Sequence, residues 1–113
     1  MATTKKEQFT DKINHTAEIM KALSHPARLQ ILLTLATRNS CVCGEIVEVL
    51  PLAQSTVSQH LKELQRVGLI EGTIEGPRSC YCLNRENFET IKSSVKELFD
   101  SIEKGGITSY DRN

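Results

Sequence analysis

A chain of 113 residues, 39% of them hydrophobic, is enough for one domain with a single modest core. It has no apolar run long enough to cross a bilayer and its start lacks a signal-peptide pattern, so the expectation is a cytoplasmic protein without a membrane partner. Aromatics make up 4% with no Trp, which argues against a base-stacking platform for single strands, and fourteen basic side chains are balanced by fourteen acidic ones, so any polyanion must be met by charge placement rather than charge excess.

Residues 1–8 are polar and expected to be flexible. Phe9, Ile13, Ala17, Met20 and Leu23 then recur at helical spacing and predict a first amphipathic helix. Ser24-His25-Pro26 interrupts it, because Pro restrains the residue before it and suits the first turn of a new helix. His25 is expected to act as a hinge or cap rather than as a ligand. From Arg28 to Leu35 the chain is apolar over a wide arc, which predicts a largely buried second helix.

Arg38-Asn39-Ser40 is a turn, followed by Cys41-Val42-Cys43. A short helix is expected around Glu45 to Leu50, ended by Pro51, and Leu52-Ala53 leads into the next helix. There, Val57, Leu61 and Leu64 form one apolar stripe. Gln54, Ser55, Thr56, Ser58, Gln59 and His60 are expected on the open face. Uncharged amides and hydroxyls carry donors and acceptors that can match base edges in a major groove, whereas a merely solvated helix more often carries Glu/Lys pairs. A short helix, a tight turn and a polar-faced helix make a helix-turn-helix. Ala53 stands where a Ser or Asp cap is usual, and Ser55 is expected to cap one residue later.

Gly68 stops this helix. Residues 69–74 and 78–83 read as two strands around a turn at Glu75-Gly76-Pro77. At such a hairpin tip Arg78 is placed to reach a phosphate or minor groove, and Lys62 and Arg66 are further candidates for phosphate neutralisation. Phe88, Ile91, Val95, Leu98 and Ile102 form a heptad-like seam on a last helix, expected to pair with the first helix and a second subunit. Gly105-Gly106 ends it, and 105–113 is expected to be flexible, leaving 9–104 as the folded unit. Two close cysteine pairs, Cys41/Cys43 and Cys80/Cys82, without a secretory signal, suggest metal, metalloid or redox chemistry before a disulfide framework.

Three stretches together, Leu23 to Leu32, Cys41-Val42-Cys43, and Gln54 to Leu64 with Gly68-Leu69-Ile70, closely resemble the ArsR/SmtB family of bacterial repressors. The resemblance spans about Ile19 to Leu83. It implies a mostly α fold with a small β-hairpin: a winged helix-turn-helix with N- and C-terminal dimerisation helices. It also implies a homodimer on palindromic double-stranded operator DNA, released by an inducer and needing no cofactor to bind DNA. The family's zinc-sensing subgroup uses Asp and His on the last helix; here that helix offers Asn87, Glu89, Lys92, Ser93, Lys96 and Glu97, with no His. Cys41 and Cys43 match the arsenical sensors, which usually add a third Cys one turn on, where this chain has Ile46.

A further reading of the residues supplies a replacement ligand. If the segment before the helix-turn-helix pairs with the second wing strand, Ser40 to Cys43 lies beside Ser79 to Cys82. Side chains alternate along strands, so Val42, Tyr81 and Leu83 facing the core would turn all four sulfurs outward together. The expectation is a thiolate site of Cys41 and Cys43 with Cys80 or Cys82. Soft thiolates suit As(III) or Sb(III) as inducer, with Zn(II), Cd(II) or disulfide-based redox sensing as alternatives. A rival of another class is a helical protein-interaction module that does not bind DNA. An enzyme is not expected: His15, His25 and His60 have no evident carboxylate partners and no phosphate-cradling loop is present.

Overall fold

In a computed structural model the described residues are 9–38, 41–43, 51–74 and 78–105. Thr10 begins helix α1, Asp11–Ala22: its hydroxyl accepts from the Ile13 amide at 3.1 Å, and Asp11 favours the positive end of the helix. Helix α2, Pro26–Ala36, starts on a proline at its first turn and is capped by the His25 ring, whose Nδ1 accepts from the Ala27 amide at 3.0 Å. His25 is thus a capping residue, as its position beside Pro26 predicts.

Helix α3 spans Gln54–Arg66 and helix α4 spans Arg85–Lys104, with strands β1, Ile70–Thr73, and β2, Cys80–Leu83, between them. The expected helix at Glu45 to Leu50 and the turn at 75–77 lie outside the described residues. α3 ends in a Schellman motif: Leu69 N–H donates to the Leu64 carbonyl and Gly68 N–H to that of Gln65, both at 3.0 Å, with Gly68 at φ 86°. This closure turns the chain straight into β1. The α3 N-terminus corrects one expectation: Ala53 is the N-cap, and among the described residues no side-chain hydrogen bond, from Ser55 or another, caps the helix.

β1 and β2 pair antiparallel with Gly72 opposite Tyr81. On its other edge β2 takes a single bridge from Val42, so Tyr81 sits in the middle of a miniature three-stranded arrangement. The core lies where α1, α2 and α3 meet the inner side of this wing, with Ile19, Ile31, Val57, Leu64, Leu69 and Ile70 fully enclosed. α2 buries Ile31 and Leu35 in it, packs the half-buried Leu32 against it and leaves Leu29 and Leu33 exposed, so the helix is less buried than its apolar arc suggests. α2 packs on α3 and β2, and α1 packs on α4. Burial along α4 is graded: Ile91 is enclosed and Val95 packs against the core, whereas Phe88, Leu98 and Ile102 stay exposed in the single chain.

Candidate nucleic-acid interface and thiol cluster

α3 presents two faces. Val57, Leu61 and Leu64 anchor it inward, while Gln54, Ser55, Thr56, Gln59 and Lys62 are exposed and Ser58 is half-buried. Arg78, at the start of the returning wing segment, is exposed as well. The uncharged polar row and the wing arginine therefore belong to the accessible surface of the same fold.

His60 does not belong to that row, which corrects its assignment as a base-reading residue. It is 7% exposed. Its Nδ1 accepts from Arg28 Nε at 3.1 Å, and its ring lies 4.2 Å from that of His25. Arg28 also donates to the Ala22 carbonyl at 3.2 Å, so one guanidinium joins the end of α1 to the middle of α3. Burial, then the neighbouring His25 and Arg28, hold the His60 pKa below its ordinary value and so favour the neutral ring. The helical repeat explains the correction: His60 stands one step past Val57's turn, adjoining Leu61 and Leu64 on the buried side.

Arg66, expected to meet a phosphate, is exposed and is ion-paired within the chain. Its Nε donates to Glu63 and its Nη1 to Glu18 of α1, both at 2.9 Å. The hydrogen bond from Arg66 holds the Glu63 carboxyl below its usual range, and the same contacts raise the arginine. Lys62 and Arg78 keep the expected exposure. Arg28, Glu18 and the arginines described below carry no signal in the sequence, because their partners lie 32 to 48 residues away.

The cysteines come together through a backbone feature. Val42 N–H donates to the Tyr81 carbonyl at 2.8 Å and Tyr81 N–H to the Val42 carbonyl at 2.9 Å. In an antiparallel ladder the pairs flanking such a doubly bonded pair are not hydrogen-bonded to each other and approach most closely, with Cα atoms ~4.5 Å apart. Those flanking pairs are Cys41 with Cys82 and Cys43 with Cys80, at Cα separations of 4.4 and 4.0 Å. Val42 and Tyr81 are buried, and the sulfurs share the opposite face.

Both pairs are disulfide-bonded, and no cysteine is free. This differs from the expectation that ranked disulfides behind metal chemistry. Directly opposed pairs of this kind need almost no chain movement to join. Among the described residues no group of three or more His, Cys, Asp or Glu is arranged to hold a metal ion. Once reduced, the same set is four thiolate donors on one strand face, a composition that fits a thiophilic ion.

A body of helices carrying a two-stranded wing and an outward polar helix defines a winged-helix DNA-binding regulator. Residues 23–73 match a helix-turn-helix domain family. The HTH-type transcriptional regulator YgaV of Escherichia coli is 30% identical over 92 residues, 81% of this chain and 93% of that protein. The arsenical resistance operon repressor of Staphylococcus xylosus is 31% identical over 87 residues, 77% and 82% of the two chains. An ArsR-like transcriptional regulator from Rhodococcus sp. RHA1 superposes with a TM-score of 0.67 at 20% identity, covering 84% of this chain and 89% of that one. The chain belongs to the ArsR/SmtB family of transcriptional regulators. Its relatives are regulators, a non-enzymatic family, consistent with the expected lack of catalytic activity.

Proposed function

We propose that this chain, a transcriptional repressor of the ArsR/SmtB type, acts as a cytoplasmic homodimer whose operator affinity is set by the chemical state of its four clustered cysteines. Gln54, Ser55, Thr56, Ser58 and Gln59 read base edges, and Lys62 and Arg78 neutralise phosphates. The two α3 helices of the dimer enter successive major grooves about 34–36 Å apart. Reduced Cys41 and Cys43, with Cys80 or Cys82, bind arsenite or antimonite as the inducer.

The observation that carries this reading is the Val42–Tyr81 bridge, which gathers sulfurs from two distant segments on one face. The likeness to a repressor of an arsenical resistance operon supports the choice of metalloid. Cys41 and Cys43 lie 13 and 11 residues before the first residue of α3, on the segment that leads into it. A thiophile that pulls this segment and β2 together changes how α3 is presented. A coupling of about 1–3 kcal/mol is enough for 5–150-fold release.

Fluorescence anisotropy on a promoter fragment from upstream of the protein's own gene, under reducing conditions with and without arsenite, tests the reading. Operator affinity is expected to fall at saturating arsenite; unchanged affinity refutes inducer release. Cys41→Ser is expected to keep DNA binding and lose the response. A second reading, a thiol-redox repressor, is favoured by the two disulfides; affinity would then follow oxidation state and ignore arsenite. Release by zinc or cadmium alone would instead mark a four-thiolate metal sensor.

A further inference from the structure

The Cys41–Cys82 pair opens onto a groove of about 270 Å³. Arg38, Arg85, Glu71, Leu35 and Leu83 line it together with the two cysteines, which brings two basic residues and one acidic residue to the recess. Arg85 donates to the Arg38 carbonyl at 3.4 Å, which ties the start of α4 to the end of α2 across the mouth of the wing. A disulfide flanked by cationic side chains in a small recess is placed for exchange, since positive charge draws in an attacking thiolate and stabilises the one that leaves. The recess is of amino-acid to short-peptide size, smaller than most pockets that take drug-sized ligands. Its mixture of two cationic groups, one anionic group and a short apolar wall complements a molecule with carboxylates, an ammonium group and a thiol.

We propose that this groove is a docking site for a small carboxylate-bearing thiol, which exchanges with the Cys41–Cys82 disulfide. The incoming thiolate attacks the sulfur of Cys41, which is on the more exposed of the two residues. A bond forms between the small thiol and Cys41, and the electron pair of the broken bond leaves with Cys82 as thiolate. A second small thiolate then displaces Cys41 from the mixed disulfide. Two small thiolates become one small disulfide, and the protein disulfide becomes two thiolates. The groove thus makes the Cys41–Cys82 bond answer to the cellular thiol pool, and reduction there restores two of the sulfurs a thiophile needs. The proposal rests on the sulfur pair and its groove; it holds or fails independently of the metalloid assignment.

The test uses the full chain carrying Cys43→Ser and Cys80→Ser, oxidised so that only Cys41–Cys82 remains, with thiol release followed by alkylation and mass spectrometry. Glutathione, neutral 2-mercaptoethanol and cationic cysteamine are compared at equal thiolate concentration. Glutathione is expected to react about tenfold faster than cysteamine, the low end of electrostatic steering, and less so at high salt. Arg38→Gln/Arg85→Gln is expected to erase most of that advantage, and Cys82→Ser, treated with glutathione disulfide, is expected to take one glutathionyl group on Cys41 with release of one glutathione thiolate and to keep it, because no second cysteine is left to displace it. Equal rates for the three thiols in the unmodified groove overturn the proposal, whatever the arginine variants do. Failure of Cys41 and Cys82 to form a disulfide overturns it as well.

Discussion

His60 links the protonation state of a single ring to the seating of α3. Its pKa is depressed from 6.5 in the folded chain, first by burial and then by the electrostatic influence of His25 and Arg28. The unfolded chain therefore binds more protons as the pH falls. The stability associated with this ring is complete above the unfolded value and is lost as the pH drops through and below 6.5. For one proton the slope cannot exceed about 1.4 kcal/mol per pH unit. Urea unfolding is expected to give a lower midpoint at pH 5.5 than at pH 7.5, and His60→Gln, which keeps an acceptor for Arg28, is expected to flatten that difference. An equal pH dependence in the variant would assign the effect to other groups. Gln59, one residue earlier, faces outward, and Gln59→Ala is expected to lower operator affinity by about 1–3 kcal/mol without moving the urea midpoint, the signature of lost base contact.

Among the described residues of the wing and the turn into it, two glycines have positive φ, and they differ in what surrounds them. A Cβ at Gly68 would meet the Asn87 side-chain amide at 2.9 Å, a group that can move aside. At Gly72, φ 124°, a Cβ would stand 2.2 Å from the Cys80 carbonyl and 2.8 Å from the Tyr81 Cα, which are backbone and cannot yield without opening the hairpin. Gly68→Ala is thus expected to cost about 1–2 kcal/mol for the left-handed conformation alone. Gly72→Ala is expected to cost about 3 kcal/mol or more, and to separate the cysteine pairs because β2 carries two of them. Denaturant unfolding checks the order, and the rate of disulfide formation from the reduced chain checks the second effect. On the DNA side, Lys62→Gln and Arg78→Gln are each expected to weaken binding evenly across sequences. Each should flatten the salt dependence of log K by about one unit per charge removed from a subunit. Arg66→Gln is not expected to do so, because Arg66 is committed to Glu18 and Glu63.

As a single chain the protein leaves α1 and α4 incompletely covered. Ile13, Leu98, Phe99 and Ile102 are exposed, and a groove of about 450 Å³ runs between the two helices past Ala17 and Met20. Lys12 and Glu97 form an ion pair across its rim. An apolar face of this kind on the elements expected to pair fits the proposed homodimer, whose two α3 helices must be held at a set distance. Leu98→Glu/Ile102→Glu is expected to give monomers by sedimentation velocity and to cut operator affinity by more than tenfold, since one α3 then binds without its partner. A variant that stays dimeric would place the interface elsewhere.

How much of this was legible beforehand follows from the range of the interactions involved. Helix α3, its stop at Gly68, the proline start of α2 and the two wing strands were readable from residue order, because caps, turns and apolar periodicity act within a few positions. The placement of Cys41 and Cys43 beside Cys80 and Cys82 was also foreseeable, since strand alternation and one assumed pairing leave the sulfurs a single shared face. Sequence could not assign His60, Arg66 or Arg38. Each is defined by a partner from another element, and a polar residue at the edge of an apolar stripe reads as outward until the packing of that partner is known. Only the folded arrangement decided which polar groups on α3 are spent on holding it and which are left for DNA, and that the sulfur pairs lie close enough to bond to each other. Those outcomes turn on ångström-scale distances between segments far apart in the chain, which local propensity does not encode.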